Sequence, residues 1–227
     1  MSEENSFSST VDSKYVSNPV YEPDDDSFLI ADALKKELNL LFSNKGLSYD
    51  LSLLDMGCGS GYVGFSSLEN FPDNKISLTL LDKNSLAIDF SKKQLEKYDS
   101  ESTFFNKENH EVSILESDLF SSLSSKIGSL FFDVITFNTP YLPNEETVHD
   151  MALHGGERGN EIAIEFISQA KNFLKRNGFI LLLTSSLVHP DEIVSFAEEN
   201  GFESFVVAEE NQFFEKLLVY KFVKVKE

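Results

Sequence analysis

The alternation of short apolar runs with helix-length segments constrains the fold of this chain more than any other feature. The apolar runs predict buried strands at residues 51–54, 76–81, 112–115, 132–137, 179–183, 205–208 and 213–225. Most are separated by the predicted crossover helices 62–70, 84–98, 160–176 and 190–200, and an opening helix is predicted from Ser27. Strand, helix and strand repeated in this way predict a parallel α/β sheet with helices on both faces.

The two ends of the chain depart from this pattern. Only a few residues separate the last two apolar runs, which is too short for a helical crossover, so we expect the final run to return antiparallel as a hairpin. Residues 1–18 are Ser-rich and polar, which predicts a mobile tail. Residues 19–227 contain no linker or internal repeat, so we expect a single domain there.

Composition excludes several classes of protein. The chain has 19 basic and 38 acidic residues, a net charge of −19 that disfavours direct binding to nucleic acid. Its longest apolar stretch, 179–183, is far shorter than the roughly 20 residues that span a bilayer. A single cysteine, Cys58, allows neither an internal disulfide nor a thiolate metal site, and His149 and His154 are interpreted as ordinary loop residues. We therefore expect a cytoplasmic protein that binds no metal and no membrane.

A glycine-rich loop follows the first predicted strand. It begins at Asp55 and contains Gly57, Gly59, Gly61 and Gly64. The last three glycines satisfy G-x-G-x-x-G, a weak signal that is compatible with a dinucleotide site. Asp55 argues for another ligand, because a carboxylate there would repel a pyrophosphate but would suit a ligand with an ammonium and a sulfonium group. S-adenosylmethionine is such a ligand.

Further acidic residues follow the second and third predicted strands. Asp82 lies 21 residues past Gly61, where it could accept hydrogen bonds from ribose hydroxyls. Asp118 is placed to accept from an adenine amino group, with Leu119 beside the ring. In the alternative interpretation these acids and Asp55 only cap strand-to-helix turns. Cys58 is interpreted as a small loop filler, because no histidine lies near it in sequence.

A second motif, Asn138-Thr139-Pro140-Tyr141, follows the fourth predicted strand. Its chemistry would suit methyl transfer to a planar nitrogen, whose delocalised lone pair makes it a poor nucleophile. The Asn138 side-chain oxygen and the Thr139 carbonyl could each accept one N–H, turn the lone pair toward the methyl carbon and stabilise the developing charge. Tyr141 would offer a stacking face. The alternative is a strand-ending turn, since Asn and Pro are common turn residues.

Together these motifs resemble the HemK-like protein glutamine methyltransferases, in particular the archaeal and eukaryotic branch that modifies a class I translation termination factor. The similarity covers nearly all of residues 20–223. Besides the two motifs it includes the segments 21–28, 142–143, 181–187 and 214–217, and Gly155, Gly156, Gly159 and Glu161. N-x-P-Y alone is shared with adenine and cytosine amino-methyltransferases.

The resemblance implies a class I, Rossmann-like methyltransferase sheet of seven strands, mostly parallel with an antiparallel last strand. It implies S-adenosyl-L-methionine as cofactor and S-adenosyl-L-homocysteine as product, with Tyr21 and Ser27 closing over the cofactor and Asn138 binding the substrate amide. The implied substrate is the glutamine of a Gly-Gly-Gln loop. The implied partner is a small zinc-binding activator subunit, for which an exposed apolar edge would be the interface.

Two positions depart from the family pattern. Thr139 stands where the family usually has a first proline, which predicts a looser Asn138. Leu153 stands where relatives often have Trp. The remaining alternatives are an adenine N6-methyltransferase acting on nucleic acid, an NAD-dependent oxidoreductase, and a catalytically weak scaffold that binds the cofactor and a partner.

Overall fold

The computed structural model describes residues 20–101, 106–141 and 155–225. The predictions for residues 1–18, Leu142, Pro143, His149, Leu153 and His154 lie outside these ranges. The helices are α1 Asp25–Lys45, α2 Tyr62–Asn70, α3 Ser85–Glu101, α4 Glu161–Ala170 and α5 Pro190–Glu199. The strands are β1 Leu51–Met56, β2 Ile76–Asp82, β3 His110–Glu116, β4 Phe132–Asn138, β5 Leu174–Ser185, β6 Phe202–Asn211 and β7 Lys216–Lys224.

One seven-stranded sheet organises the chain, in the order β3-β2-β1-β4-β5-β7-β6. Strands β1 to β5 pair in parallel, whereas β7 runs antiparallel to both β5 and β6. The predicted α/β class, the mostly parallel sheet and the antiparallel last strand are therefore confirmed. None of the helices in the described ranges combines the length and the apolar character that a membrane span requires.

Side-chain alternation along the central strands builds two separate apolar layers. Leu53 and Leu181 pack in a cluster with α1 and α2, whereas Leu54 and Leu182 pack in a cluster with α4 and α5. These side chains are fully buried, and the burial of each one stabilises the fold by roughly 1.5–3 kcal/mol. The two layers hold the strands in place, so that the carboxyl ends of the parallel strands lie along one edge of the sheet. Polar side chains can converge at this edge.

Helix α1 begins two residues before the predicted Ser27. Asp24 caps it, because its carboxylate accepts a hydrogen bond from the Asp25 N–H at 2.9 Å. Acidic residues in the first turn suit the positive end of the helix dipole. The helix ends at Gly46, whose positive φ of 87° permits the reversal into β1.

The predicted helix over 160–176 was too long at its end. Helix α4 stops at Ala170 and β5 already begins at Leu174. Phe173 and Leu174 continue the helical spacing of α4, so the pattern could not locate the boundary. The early part of β5 is held to β4 by tertiary contacts, including a hydrogen bond from Lys175 Nζ to Asp133 Oδ2 at 2.7 Å.

The C-terminal hairpin has its predicted antiparallel pairing but different bounds. Strand β6 is longer than the predicted run and has an irregularity in register between Val206 and Ala208. Strand β7 begins only at Lys216. Phe213 and Phe214 therefore belong to the turn, where they are 91% and 85% exposed.

Candidate active site

A cavity of about 520 Å³ lies at the carboxyl ends of β1, β2, β3 and β4. Strand β1 sits between β2 and β4, so the strand order reverses at this point of the sheet. Such a switch point leaves a crevice in which α/β proteins bind ligands. Every described residue that the sequence predicted for cofactor or substrate binding lines this cavity, apart from Gly61.

The glycine loop adopts a conformation that side chains would prevent. Gly57, Gly59 and Gly61 have positive φ angles of 58°, 53° and 80°. A Cβ atom on Gly57 would lie 2.9 Å from the Phe137 ring, and one on Gly61 would lie 2.5 Å from the Phe65 ring. The loop therefore curls tightly over the end of β1 and leaves its main chain beside the cavity.

Asp55 is almost fully buried, and both of its carboxylate oxygens accept hydrogen bonds. Oδ2 accepts from the Gly64 N–H at 2.9 Å and Oδ1 accepts from Thr136 Oγ1 at 2.8 Å. Asp55 and Thr136 are directly paired across β1 and β4. The carboxylate thus fixes the start of α2 to the sheet. Sequence reasoning missed this role of Thr136, although a threonine inside a buried apolar strand was a signal for it.

Because burial outweighs these two hydrogen bonds, the pKa of Asp55 rises to about 7. In the unfolded chain the pKa of an aspartate is about 4. Between these values the folded state binds more protons, so we expect the free energy of unfolding to fall as pH rises from about 4 to 7, by up to about 1.4 kcal/mol per pH unit. Urea unfolding of the wild type and of Asp55→Asn across this range measures the effect.

The asparagine variant is the matched control, because an amide can donate to Thr136 and accept from Gly64 without titrating. In this variant the free energy of unfolding should lack the pH dependence that the Asp55 carboxyl contributes. Equal slopes in the two proteins would contradict the raised pKa.

Asp82 and Asp118 lie at the ends of β2 and β3 as predicted. Asp82 Oδ2 accepts from the Gly59 N–H and Oδ1 from the Asn84 N–H, both at 2.8 Å, so this carboxylate ties the glycine loop to β2. Burial raises its pKa. Asp118 is exposed and accepts from Lys83 Nζ at 2.6 Å. Leu119 has a left-handed φ of 46°, which is uncommon for a non-glycine residue.

The Asn138-Thr139-Pro140-Tyr141 segment leaves β4 at the same edge. Thr139 is buried, and its Oγ1 and N–H both donate to the Leu183 carbonyl, at 2.8 and 3.4 Å. The side-chain hydroxyl therefore holds the segment to β5 at the position where the family usually has proline, which argues against a loose Asn138. Burial raises the pKa of Tyr141, so its hydroxyl stays protonated.

Asn138 is the residue of this segment with an open hydrogen-bonding position. Its Nδ2 donates to Ser27 Oγ at 3.4 Å. Its Oδ1 is buried and finds no partner among the described residues. Since buried polar atoms nearly always have a partner, this acceptor is available for a ligand N–H.

Tyr21, before α1, and Ser27, in its first turn, both line the cavity. Tyr21 donates its hydroxyl to Asp26 Oδ2 at 3.0 Å. Sequence reasoning missed Asp26 and also Glu165 of α4, which both line the cavity. Neither residue stood out, because Asp26 is one of three consecutive acids and Glu165 lies in an ordinary helix.

The glycines of the following loop, given only by resemblance, also have a structural reason. A Cβ atom on Gly155 would collide with the carbonyl oxygen of Pro140, so only glycine lets this backbone pass the motif. Gly156 has a φ of 117° and packs on the Glu161 carboxylate, which also accepts from the Arg158 N–H at 3.0 Å. The backbone of this loop thereby packs against Pro140 of the Asn138 segment.

The charge of the cavity distinguishes between ligands. The acidic side chains that line it are Asp26, Asp55, Asp82, Asp118 and Glu165, and among its described residues Lys83 is the matching basic one. Lys83 is already paired with Asp118. This lining disfavours a pyrophosphate and suits a ligand with positive charge and hydroxyl groups, as S-adenosylmethionine has.

The seven-stranded sheet with its inserted antiparallel strand, together with this site, defines a Rossmann-like methyltransferase. The chain belongs to the methyltransferase small domain family, whose model matches residues 24–217. The expected class of enzyme is therefore confirmed, and an oxidoreductase is not supported.

Three comparisons narrow the family. A Methanocaldococcus jannaschii protein assigned as a protein N5-glutamine methyltransferase is 31% identical over 205 residues, 88% of this chain and 89% of its own. The human methyltransferase HEMK2 is 26% identical over 90% of both chains. In the Encephalitozoon cuniculi Mtq2–Trm112 complex, which methylates the termination factor eRF1, one chain superposes with a TM-score of 0.64 at 21% identity, covering 91% of this chain and 99% of its own. The resemblance to the HemK-like enzymes is thereby confirmed.

Proposed function

We propose that this chain transfers a methyl group from S-adenosylmethionine to the side-chain nitrogen of a glutamine, in the Gly-Gly-Gln loop of a class I translation termination factor. The observation that carries this proposal is the unpartnered Oδ1 of Asn138 beside an acidic cavity. The names of the relatives from Methanocaldococcus jannaschii and Encephalitozoon cuniculi support the choice of substrate.

The cavity fits the proposed cofactor. When bound, the cofactor supplies a methyl group that is activated by its positive sulfonium. The residues proposed to hold it are Tyr21, Ser27, Asp55, Gly57, Gly59, Gly61, Asp82, Asp118, Leu119 and Asn138. Asp82 accepts from the ribose hydroxyls, Asp118 accepts from the adenine amino group, and the surrounding carboxylates balance the positive charge of the ligand.

The motif after β4 prepares the substrate nitrogen. Asn138 Oδ1 accepts one amide N–H and the Thr139 carbonyl accepts the other, which holds the nitrogen with its lone pair toward the methyl group. Tyr141 packs on the planar amide. These neutral acceptors stabilise the positive charge that develops on nitrogen, and the methylated nitrogen is acidic enough to lose its proton without a strong base.

Two features favour a protein substrate over nucleic acid. The net charge of −19 opposes approach to a phosphate backbone. The acidic residues at the start of α1, Asp24, Asp25 and Asp26, add to the negative potential at the cavity, which Asp26 lines. An adenine N6-methyltransferase would need a partner that supplies the missing positive charge.

We further propose a small zinc-binding activator as partner, and the cytoplasm as the site of action. The strands at the two edges of the sheet, β3 and β6, leave main-chain groups open for pairing. Phe205 and Val206 on β6 are each 50% exposed, which fits the expected apolar edge. The complex from Encephalitozoon cuniculi supports a two-subunit enzyme.

A methyl-transfer assay tests the proposed function. The chain, with and without its activator, is incubated with S-adenosylmethionine and a termination factor, and the modified residue is located by mass spectrometry. We expect methylation of the Gly-Gly-Gln glutamine and none of a matched factor with Gly-Gly-Glu, which lacks the amide nitrogen. Methylation of the Gly-Gly-Glu factor at the same loop, or of an adenine oligonucleotide in preference to the factor, would contradict it.

A further inference from the structure

Asp26, in the first turn of α1, is a buried carboxylate whose hydrogen bonds have no role in the proposed mechanism. It is only 5% exposed. Oδ1 accepts from the N–H and the Oγ of Ser27, the latter at 3.2 Å, and Oδ2 accepts from the Tyr21 hydroxyl. A helix start of this kind requires one capping acid, and Asp24 already fills that position. The burial of a second acid therefore needs another explanation.

The protons of this cluster can be assigned from chemistry alone. A carboxylate accepts hydrogen bonds and donates none. The single hydroxyl proton of Ser27 therefore points to Asp26, and Ser27 Oγ can only accept from Asn138. Only Nδ2 of the Asn138 amide is a donor, so this atom must face Ser27 at 3.4 Å, and Oδ1 must face away.

We infer that Asp26 is a positioning residue for methyl transfer: acting through the Ser27 hydroxyl, it selects the orientation of the Asn138 amide that presents Oδ1 to the substrate. The inference rests on the proposed function for its catalytic consequence. Without Asp26 the Ser27 hydroxyl could donate to Asn138 Oδ1 instead. The amide would then turn its NH₂ group toward the substrate NH₂ group, and two donors would face each other.

The first test follows the orientation of the amide itself and needs no activity. The ¹H–¹⁵N signals of the Asn138 side chain are assigned by their loss in Asn138→Asp. We expect Asp26→Ala to shift these signals as Ser27→Ala does, although Asp26 makes no direct hydrogen bond to Asn138 in the structure. Ser66→Ala is the control, since its hydroxyl donates to the Val63 carbonyl within α2. Unchanged Asn138 signals in Asp26→Ala would overturn the inference, whether or not Ser27→Ala shifts them.

The second test measures turnover at saturating cofactor. We expect Asp26→Ala and Ser27→Ala each to lower kcat on the order of tenfold or more, as when a positioned hydrogen bond is lost. Because both act through one hydrogen-bonded chain, the double variant should be little worse than either single one. Asp26→Asn and Ser27→Thr, which can keep the acceptor and the hydroxyl, should recover most of the loss. Additive losses, or no recovery by the conservative variants, would overturn the inference.

Failure of the proposed function can be told apart from failure of the positioning role of Asp26. A wild-type chain that methylates no glutamine would refute the proposed function, whereas the amide signals would still decide whether Asp26 orients Asn138. An active wild type with fully active Asp26→Ala and Ser27→Ala variants would refute the positioning role alone. Circular dichroism of each variant identifies any loss of fold.

Discussion

Replacing Asn138 by alanine should lower methyl transfer by about 100-fold or more, the usual cost of removing a group that stabilises charge in a transition state. The variant loses the side-chain acceptor that has no partner among the described residues and that is proposed to take one substrate N–H. Binding of S-adenosylhomocysteine should change little, because the other residues proposed to hold it, among them the glycine loop, Asp82 and Asp118, remain in place. The measurements are kcat with the termination factor and titration calorimetry with S-adenosylhomocysteine.

The stability of this variant separates loss of chemistry from loss of fold. The variant loses the long hydrogen bond from Asn138 Nδ2 to Ser27 Oγ but also removes a buried acceptor without a partner, so the free energy of unfolding should change little. Asn39→Ala, on an exposed part of α1, is the matched control and should retain activity. Full activity in Asn138→Ala would show that the amide-clamp mechanism is wrong.

Replacing Asp82 by alanine should weaken binding of S-adenosylhomocysteine by roughly 1.5–3 kcal/mol, or about 10- to 150-fold in Kd. A charge-assisted hydrogen bond to the ribose is lost, and the Gly59 and Asn84 N–H groups lose their acceptor as well. The binding site is therefore damaged twice, once at the ligand and once in the loop that shapes it. Titration calorimetry measures the change directly.

The matching variants separate these contributions. Asp82→Asn keeps one acceptor oxygen and should give an intermediate Kd. Asp50→Ala removes an exposed carboxylate at the opposite end of the sheet and should bind as the wild type does. NAD titrated in parallel should show no binding, because the acidic lining opposes its pyrophosphate. Tight NAD binding, or an unaltered Kd in Asp82→Ala, would refute this assignment.

Those parts of the structure that depend on local sequence patterns could be predicted from the sequence. Buried strands appear as apolar runs, and the acids and the N-x-P-Y segment directly follow them, so the sheet itself dictates that they meet at one edge. The predicted boundary between α4 and β5 was wrong because Phe173 and Leu174 continue the apolar spacing of the helix. Only the pairing of β5 with β4 decides between helix and strand here.

The hydrogen bonds that orient the site could not be predicted in the same way. Thr136 and Asp55 lie 81 residues apart, and Asn138 and Ser27 lie 111 apart. Such pairs depend on strand register and on where α1 docks, neither of which has a local signature. Asp26 was overlooked for the same reason, since nothing in a run of three acids shows which one will be buried.

The insertion of β7 between β5 and β6 has a consequence for biosynthesis. Each of the strands β2 to β5 can pair with a strand that has already been translated, but β6 pairs with β7, which is made after it. A nascent chain that ends before Lys216 therefore carries β6 without its place in the sheet. The hairpin docks late, and only then does Gln212 Nε2 reach Asp25 at 3.0 Å. The contact between the hairpin turn and the first turn of α1, next to the cavity-lining Asp26, thus forms only after the last strand has been made.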